Sequence, residues 1–139
     1  MASIQNFEDL KVWQKSRVFC QEIFELVTIG NFAKDFALKD QINRSSGSFM
    51  DNIAEGFGRK GNNEFINFVT YSSGSICESK SQLYRALDRN YITEEKLKKL
   101  CELADEIGKM ITALIIYPGA SNMKGNKFKA RDKNKKTTN

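Results

Sequence analysis

Arg44-Ser45-Ser46-Gly47-Ser48-Phe49-Met50-Asp51-Asn52-Ile53-Ala54-Glu55-Gly56-Phe57-Gly58-Arg59 is the stretch on which the fold turns. Phe49 and Ile53 extend an apolar series that opens at Phe36 and Ile42, and this spacing predicts a helix. Asp35 stands where its carboxylate can cap the first amides, and Gly56 and Gly58 are expected to end the helix. In the middle, Ser45, Ser46, Gly47 and Ser48 replace bulky apolar residues. That lowers intrinsic helicity but lets a neighbouring backbone come close, so the helix depends on tertiary contact.

Beyond the glycine-rich turn, Asn62 or Asn63 can cap a third helix with a face of Phe65, Val69, Ser72, Ile76, Ser79, Leu83 and Ala86. Small residues recur there as Ser72, Ser73, Gly74 and Ser75. Two small patches on consecutive helices lie near one another in an antiparallel hairpin and allow close packing. Thr93, followed by Glu94 and Glu95, starts a fourth helix: a hydroxyl cap and acidic residues suit the positive end of the helix dipole. Its stripe is Leu97, Leu100, Ala104, Ile107, Ile111 and Leu114, and Pro118-Gly119 stops it.

Upstream, Leu10, Trp13, Cys20, Phe24 and Val27 repeat at helical intervals, with Arg17 filling one step, and Gly30-Asn31 supplies a left-handed stop. No alternating β-pattern of useful length is present. The expected fold is all-α: an antiparallel up-down-up-down four-helix bundle over residues 1–120. Val12, Phe19, Ile23, Phe32, Phe68, Leu103 and Ile115 fall outside the stripes. They either widen the core or form a lateral oligomer interface.

The 139 residues, 40% hydrophobic, suffice for one domain but not for a second core. The formal charge of +5 is unevenly placed. From Ser121 onward, Lys124, Lys127, Lys129, Arg131, Lys133, Lys135 and Lys136 stand against Asp132 alone, a net +6, which leaves the preceding body at −1. Residues 121–139 therefore read as a basic, disordered tail, either merely solubilising or a salt-sensitive phosphate contact. Cys20, Cys77 and Cys101 are odd in number and widely spaced in a chain without histidine. This argues against a disulfide framework, a zinc site or a cysteine–histidine nucleophile. With no apolar run long enough for a bilayer, a cytoplasmic protein without membrane association is expected.

Chemistry is sparsely encoded. Asp51, Glu55, Glu64 and Glu78 bring carboxylates to adjacent helices, but the di-iron pattern needs Glu-x-x-His and histidine is missing. Gly56-x-Gly58-x-x-Gly61 has dinucleotide-fingerprint spacing without the preceding strand. No catalytic residue, metal or other cofactor is expected, and the chain reads as a non-enzyme. Asn52, Glu55 and Arg59 share one side of the second helix's last turns. They form either a polar lock for the turn or a subunit seam, or Arg59 and Lys60 contact phosphate with the turn's amides. Trp13 reads as a core or interface residue rather than a base-stacking one, as do Tyr71 and Tyr84.

Three blocks carry a resemblance: Phe7, Leu10 and Trp13; then Arg44, Asn52, Ile53, Ala54, Glu55, Gly56 and Arg59; then Glu64, Phe65 and Phe68, followed by Glu78, Leu83, Ala86 and Tyr91. Together they resemble the bacterial four-helix-bundle proteins encoded in intervening sequences of 23S rRNA genes, from about Phe7 to Tyr117. The resemblance implies a ring-shaped homo-oligomer, a pentamer. In fold and charge habit the chain is also similar to the accessory variability protein of diversity-generating retroelements, a ring that associates with reverse transcriptase and RNA. The expected function is nucleic-acid binding, RNA in the first place, through Arg59, Lys60, Arg85, Arg89 and the tail, with Asn52, Glu55, Gly56, Arg59 and Trp13 at the turn or a subunit seam. The alternative is a scaffold for a partner enzyme such as a reverse transcriptase or another ribonucleoprotein component, without nucleic-acid contact.

Overall fold

A computed structural model describes residues 4–116. After a short 3₁₀ turn at Phe7–Asp9 come α1 (Lys11–Val27), a second 3₁₀ turn (Phe32–Lys34), α2 (Phe36–Gly58), α3 (Asn62–Asp88) and α4 (Glu94–Ile116). No strand occurs among the described residues. The four helices enclose one buried cluster, and the proposed stop at Pro118-Gly119 and the basic tail lie outside the described residues.

Local rules account for most of the helix ends. Asp35 Oδ1 accepts from the Leu38 amide at 3.2 Å, the cap expected at α2. Thr93 Oγ1 accepts from the Lys96 amide at 3.1 Å and starts α4. Gly30 turns the chain after α1 with φ of 58°. At the end of α3 the left-handed residue is Asn90, φ 61°, and the Tyr91 amide reaches back to the Ala86 carbonyl at 2.9 Å in a Schellman-type closure. One expectation fails: Gly61, not an asparagine, occupies the N-cap position of α3, in extended backbone. The end of α2 falls at Gly58, where it was expected, but Gly56 and Gly58 are themselves helical and the left-handed residue of the turn is Lys60, φ 61°.

The stripes read for α3 and α4 are all buried, as are Ile42, Phe49 and Ile53 of α2. Phe36 is not; it is 77% exposed, and Leu38 takes the inward place. In α1 the reading is off by about one residue. The buried face is Val12, Ser16, Phe19, Ile23 and Val27, whereas Phe24 is exposed and Trp13 and Cys20 are half-buried. Ser16 hid this stripe, because a hydroxyl in an apolar series looks like an interruption. Its Oγ donates to the Val12 carbonyl at 2.7 Å, so the group is buried without an unmet hydrogen bond. Val12, Phe19, Ile23 and Phe32 thus belong to the core, and Leu103 and Ile115 pack against it. Most of the apolar surplus that favoured an oligomer interface is consumed within the chain.

Serines join α2 to α3. Ser45 Oγ donates to Gln82 Oε1 at 2.6 Å, which leaves Ser79 Oγ to donate to Ser45 at 2.7 Å. Ser72 Oγ donates to the Phe49 carbonyl at 2.9 Å, and Ser75 Oγ to Ser48 Oγ at 3.0 Å. Partners descend along α3 as they ascend along α2, from Gln41 with Arg85 to Phe49 with Ser72. The close approach expected of the small patches is made by these serines. Gly47 and Gly74 have nothing within 4 Å of where a Cβ would stand. A buried hydroxyl pair fixes register more sharply than apolar contact, since sliding one helix leaves each group unsatisfied.

Candidate nucleic-acid interface

The α2–α3 turn gathers Asn52, Glu55, Gly56, Arg59 and Lys60, but not as one polar triad. Arg59 Nη2 donates to Glu55 Oε1 at 3.0 Å, an i,i+4 pair with both side chains about half exposed (52% and 53%). The hydrogen bond to Glu55 raises the Arg59 pKa, so the guanidinium stays charged. An exposed pair of this kind adds little stability. Asn52 bonds backward instead. Its Nδ2 donates to the Ser48 carbonyl at 2.8 Å and to Ser48 Oγ at 3.1 Å, which places it in the serine seam.

Gly56 has a steric role. It is buried, and a Cβ there would lie 2.7 Å from Cβ of Phe68 and 3.4 Å from the Phe65 carbonyl oxygen. Lacking that atom, α2 lets Phe68 sit against its backbone. The Arg59 guanidinium carbon then lies 5.4 Å from the Phe68 ring centroid. Phe68 in turn meets Tyr71 edge-on at 6.4 Å between centroids. Tyr71 is 66% exposed and Tyr84 52%, so of the two places the sequence offered, core or interface, neither takes the core. Phe68 and Tyr71 are three residues apart on a helix, the one signal by which their pairing was legible.

Arg85 and Arg89 lie at the other end of the hairpin. Arg85 Nη1 donates to Gln41 Oε1 at 2.8 Å, and Arg89 Nη1 to Asp35 Oδ2 at 2.7 Å. Tyr91 Oη donates to the same Asp35 oxygen at 2.8 Å while its ring stacks on Phe32. Asp35 is thereby a cap, an ion-pair partner and an acceptor at once. The Tyr91 hydroxyl foremost, then the Leu38 amide and Arg89, hold its carboxyl below the usual range. The same bond pushes the Tyr91 phenol up. The 23 residues of α2 span roughly 34 Å, so Arg59 and Lys60 do not form one patch with Arg85 and Arg89.

Other cations are also engaged. Among the described residues Lys15 pairs with Glu106, Arg44 with Asp40, Lys80 with Asp105 and Lys96 with Glu22. Trp13 packs edge-on to Phe7 at 5.0 Å, and the Arg17 guanidinium carbon lies 6.0 Å from its ring centroid. Lys124, Lys127, Lys129, Arg131, Lys133, Lys135 and Lys136 lie outside the described residues. No described helix is long and apolar enough to cross a membrane, and no described group of three or more Cys, Asp or Glu residues is placed to hold a metal ion.

Fold and site define a small all-helical bundle with a polar helix-to-helix seam and a glycine-seated turn. The family model described as 23S rRNA-intervening sequence protein matches residues 8–113, and the chain belongs to that family. Among solved structures it is similar to a protein of unknown function from the S23 ribosomal protein family of Bacteroides thetaiotaomicron. The two are 27% identical, the match covers 75% of this chain and 97% of the other, and the TM-score is 0.68. No curated protein matches the chain.

Proposed function

We propose that this chain is a non-enzymatic, cytoplasmic up-down-up-down bundle that assembles into a homo-oligomeric ring, a pentamer, and binds nucleic acid, principally RNA. The observation that carries the reading is the partition of charge. The body holds a net −1, with Lys15, Arg44, Arg59, Lys80, Arg89 and Lys96 each paired to an acid, while residues 121–139 hold a net +6. Affinity of this kind comes from counterion release and is insensitive to sequence. A ring multiplies each tail and each surface cation around its axis. The ring and the pentamer rest on the family resemblance.

The test is the salt dependence of binding to a structured RNA, for the full chain and for a form lacking residues 121–139. Six phosphate contacts weaken binding about a thousandfold between 50 and 200 mM salt. Deletion of the tail is expected to flatten that slope, and an unchanged slope removes the tail from the mechanism. A second reading is favoured by the engagement of Arg59, Arg85 and Arg89 with Glu55, Gln41 and Asp35. Under it the body is a protein scaffold, for instance for a reverse transcriptase. A partner that stays bound after nuclease treatment, with no nucleic acid co-purifying at low salt, decides for the scaffold.

A further inference from the structure

A ledge beside the α2–α3 turn ends in an exposed aromatic ring. Gly56 seats Phe68 against α2, Arg59 lies over the Phe68 ring, and Tyr71 continues the aromatic surface outward with two thirds of its area in solvent. We propose that Tyr71, backed by Phe68 and Arg59, is a stacking platform for an unpaired base of RNA. The proposal rests on the RNA-binding reading above and adds the residue that touches the base and the single-stranded character of the ligand.

Three observations favour a base over other occupants. First, the ledge is close to electroneutral, because Arg59 is paired with Glu55 and also feels Glu64, so that two carboxylates offset Arg59 and the adjoining Lys60. It therefore offers π-surface rather than phosphate attraction, and every base presents a matching face. Second, the apolar surface is small. The flanking residues of α3 on this side are Asn67, Gly74 and Ser75. The other exposed large apolar side chains of α2 and α3 are Phe36, at the far end, and Tyr84, roughly 20 Å along the helix. A protein interface needs a contiguous core of several such residues, whereas one base needs one or two rings. Third, Arg59 is already positioned by Glu55 with its guanidinium carbon over an aromatic ring, the arrangement in which a cation adds to stacking without further ordering. A duplex hides its base faces, so the ledge serves only unpaired nucleotides.

The experiment uses the full chain with a labelled single-stranded RNA dodecamer and a blunt RNA duplex of equal length, read by fluorescence anisotropy. Tyr71→Ala is expected to weaken binding to the single strand about 5- to 100-fold, with Tyr71→Phe close to wild type and duplex binding unmoved by either. Tyr71 is exposed, so both variants should keep the wild-type helical spectrum. Wild-type single-strand affinity in Tyr71→Ala overturns the platform while leaving RNA binding intact. A Tyr71→Ala loss accompanied by a smaller assembly in sedimentation overturns it in favour of a protein contact. No binding of either RNA by the wild-type chain at low salt sinks the RNA reading itself, and the platform with it.

Discussion

Replacing Gly56 with alanine tests whether the turn is held by contact or by backbone freedom. On propensity alone the change is favourable, since alanine gains about 1 kcal/mol over glycine inside a helix. The new methyl group, however, would stand 2.7 Å from Cβ of Phe68, where carbon atoms prefer about 3.5 to 4.0 Å. Cβ of Phe68 is fixed to the α3 backbone and cannot move by changing rotamer. The two helices must separate locally, which places the cost in the upper part of the roughly 1–3 kcal/mol range for overpacking. The expected net effect is destabilisation by about 1–2 kcal/mol, or a fall in midpoint of roughly 4–10 °C. Gly74→Ala is the control. Gly74 is helical and exposed, and no atom lies within 4 Å of the new Cβ, so the same substitution should stabilise by about 0.5–1 kcal/mol. Urea and thermal unfolding, each followed by helical circular dichroism, measure both variants. If Gly56→Ala matches or exceeds the wild-type midpoint, the steric account of the turn is wrong. If Gly74→Ala falls as far as Gly56→Ala, the loss does not come from Phe68.

Asp35→Asn should lower the urea midpoint at neutral pH while keeping a competent helix cap. The native carboxyl titrates below its unfolded value near 3.9, so its contribution is complete above that pH and disappears as pH falls through the lower native value. The gap between wild type and variant should therefore close in acid, and a constant gap argues against the Asp35, Tyr91 and Arg89 cluster. Thiol reactivity offers a separate check. Burial pushes the Cys20 thiol up to about 11, and its Sγ donates to the Ser46 carbonyl at 3.1 Å, whereas Cys77 is exposed. At pH about 8, Ellman's reagent should label Cys77 first and Cys20 only as the chain unfolds. Rapid modification of Cys20 in the folded protein contradicts its placement between α1 and α2.

Legibility in the sequence followed from how each residue is used. The α3 and α4 stripes were readable because period and burial coincide there: Phe65 to Ala86 and Leu97 to Leu114 face inward without exception. The caps at Asp35 and Thr93 were readable because their chemistry is local. The face of α1 was not, since Ser16 satisfies its hydroxyl within its own helix and poses as a solvent residue. Gly56 was read as a terminator because a glycine required for space and one required for positive φ are identical in sequence. Only a neighbouring backbone distinguishes them. Of the candidate site, the Glu55 and Arg59 pair followed from i,i+4 spacing. The separation of Arg85 and Arg89 from the turn follows from helix length, and their engagement by Gln41 and Asp35 needed the pairing of α2 with α3.

That separation changes how binding should be apportioned. The ion pairs between Lys15 and Glu106, Glu22 and Lys96, and Lys80 and Asp105 each tie α4 to a neighbouring helix, so these body charges are spent on the chain's own surface. On the proposed function, attraction to a polyanion then falls mainly to residues 121–139, because the body as a whole holds a net −1, and the fixed surface adds contacts that depend on shape and π-surface. The two kinds of contact respond differently to solvent. Counterion release fades steeply with added salt, whereas stacking on an exposed ring is largely indifferent to it. In this account the basic tail sets how much of the RNA is bound at a given ionic strength, and the ledge at Tyr71 favours unpaired over paired nucleotides once the tail's contribution has weakened.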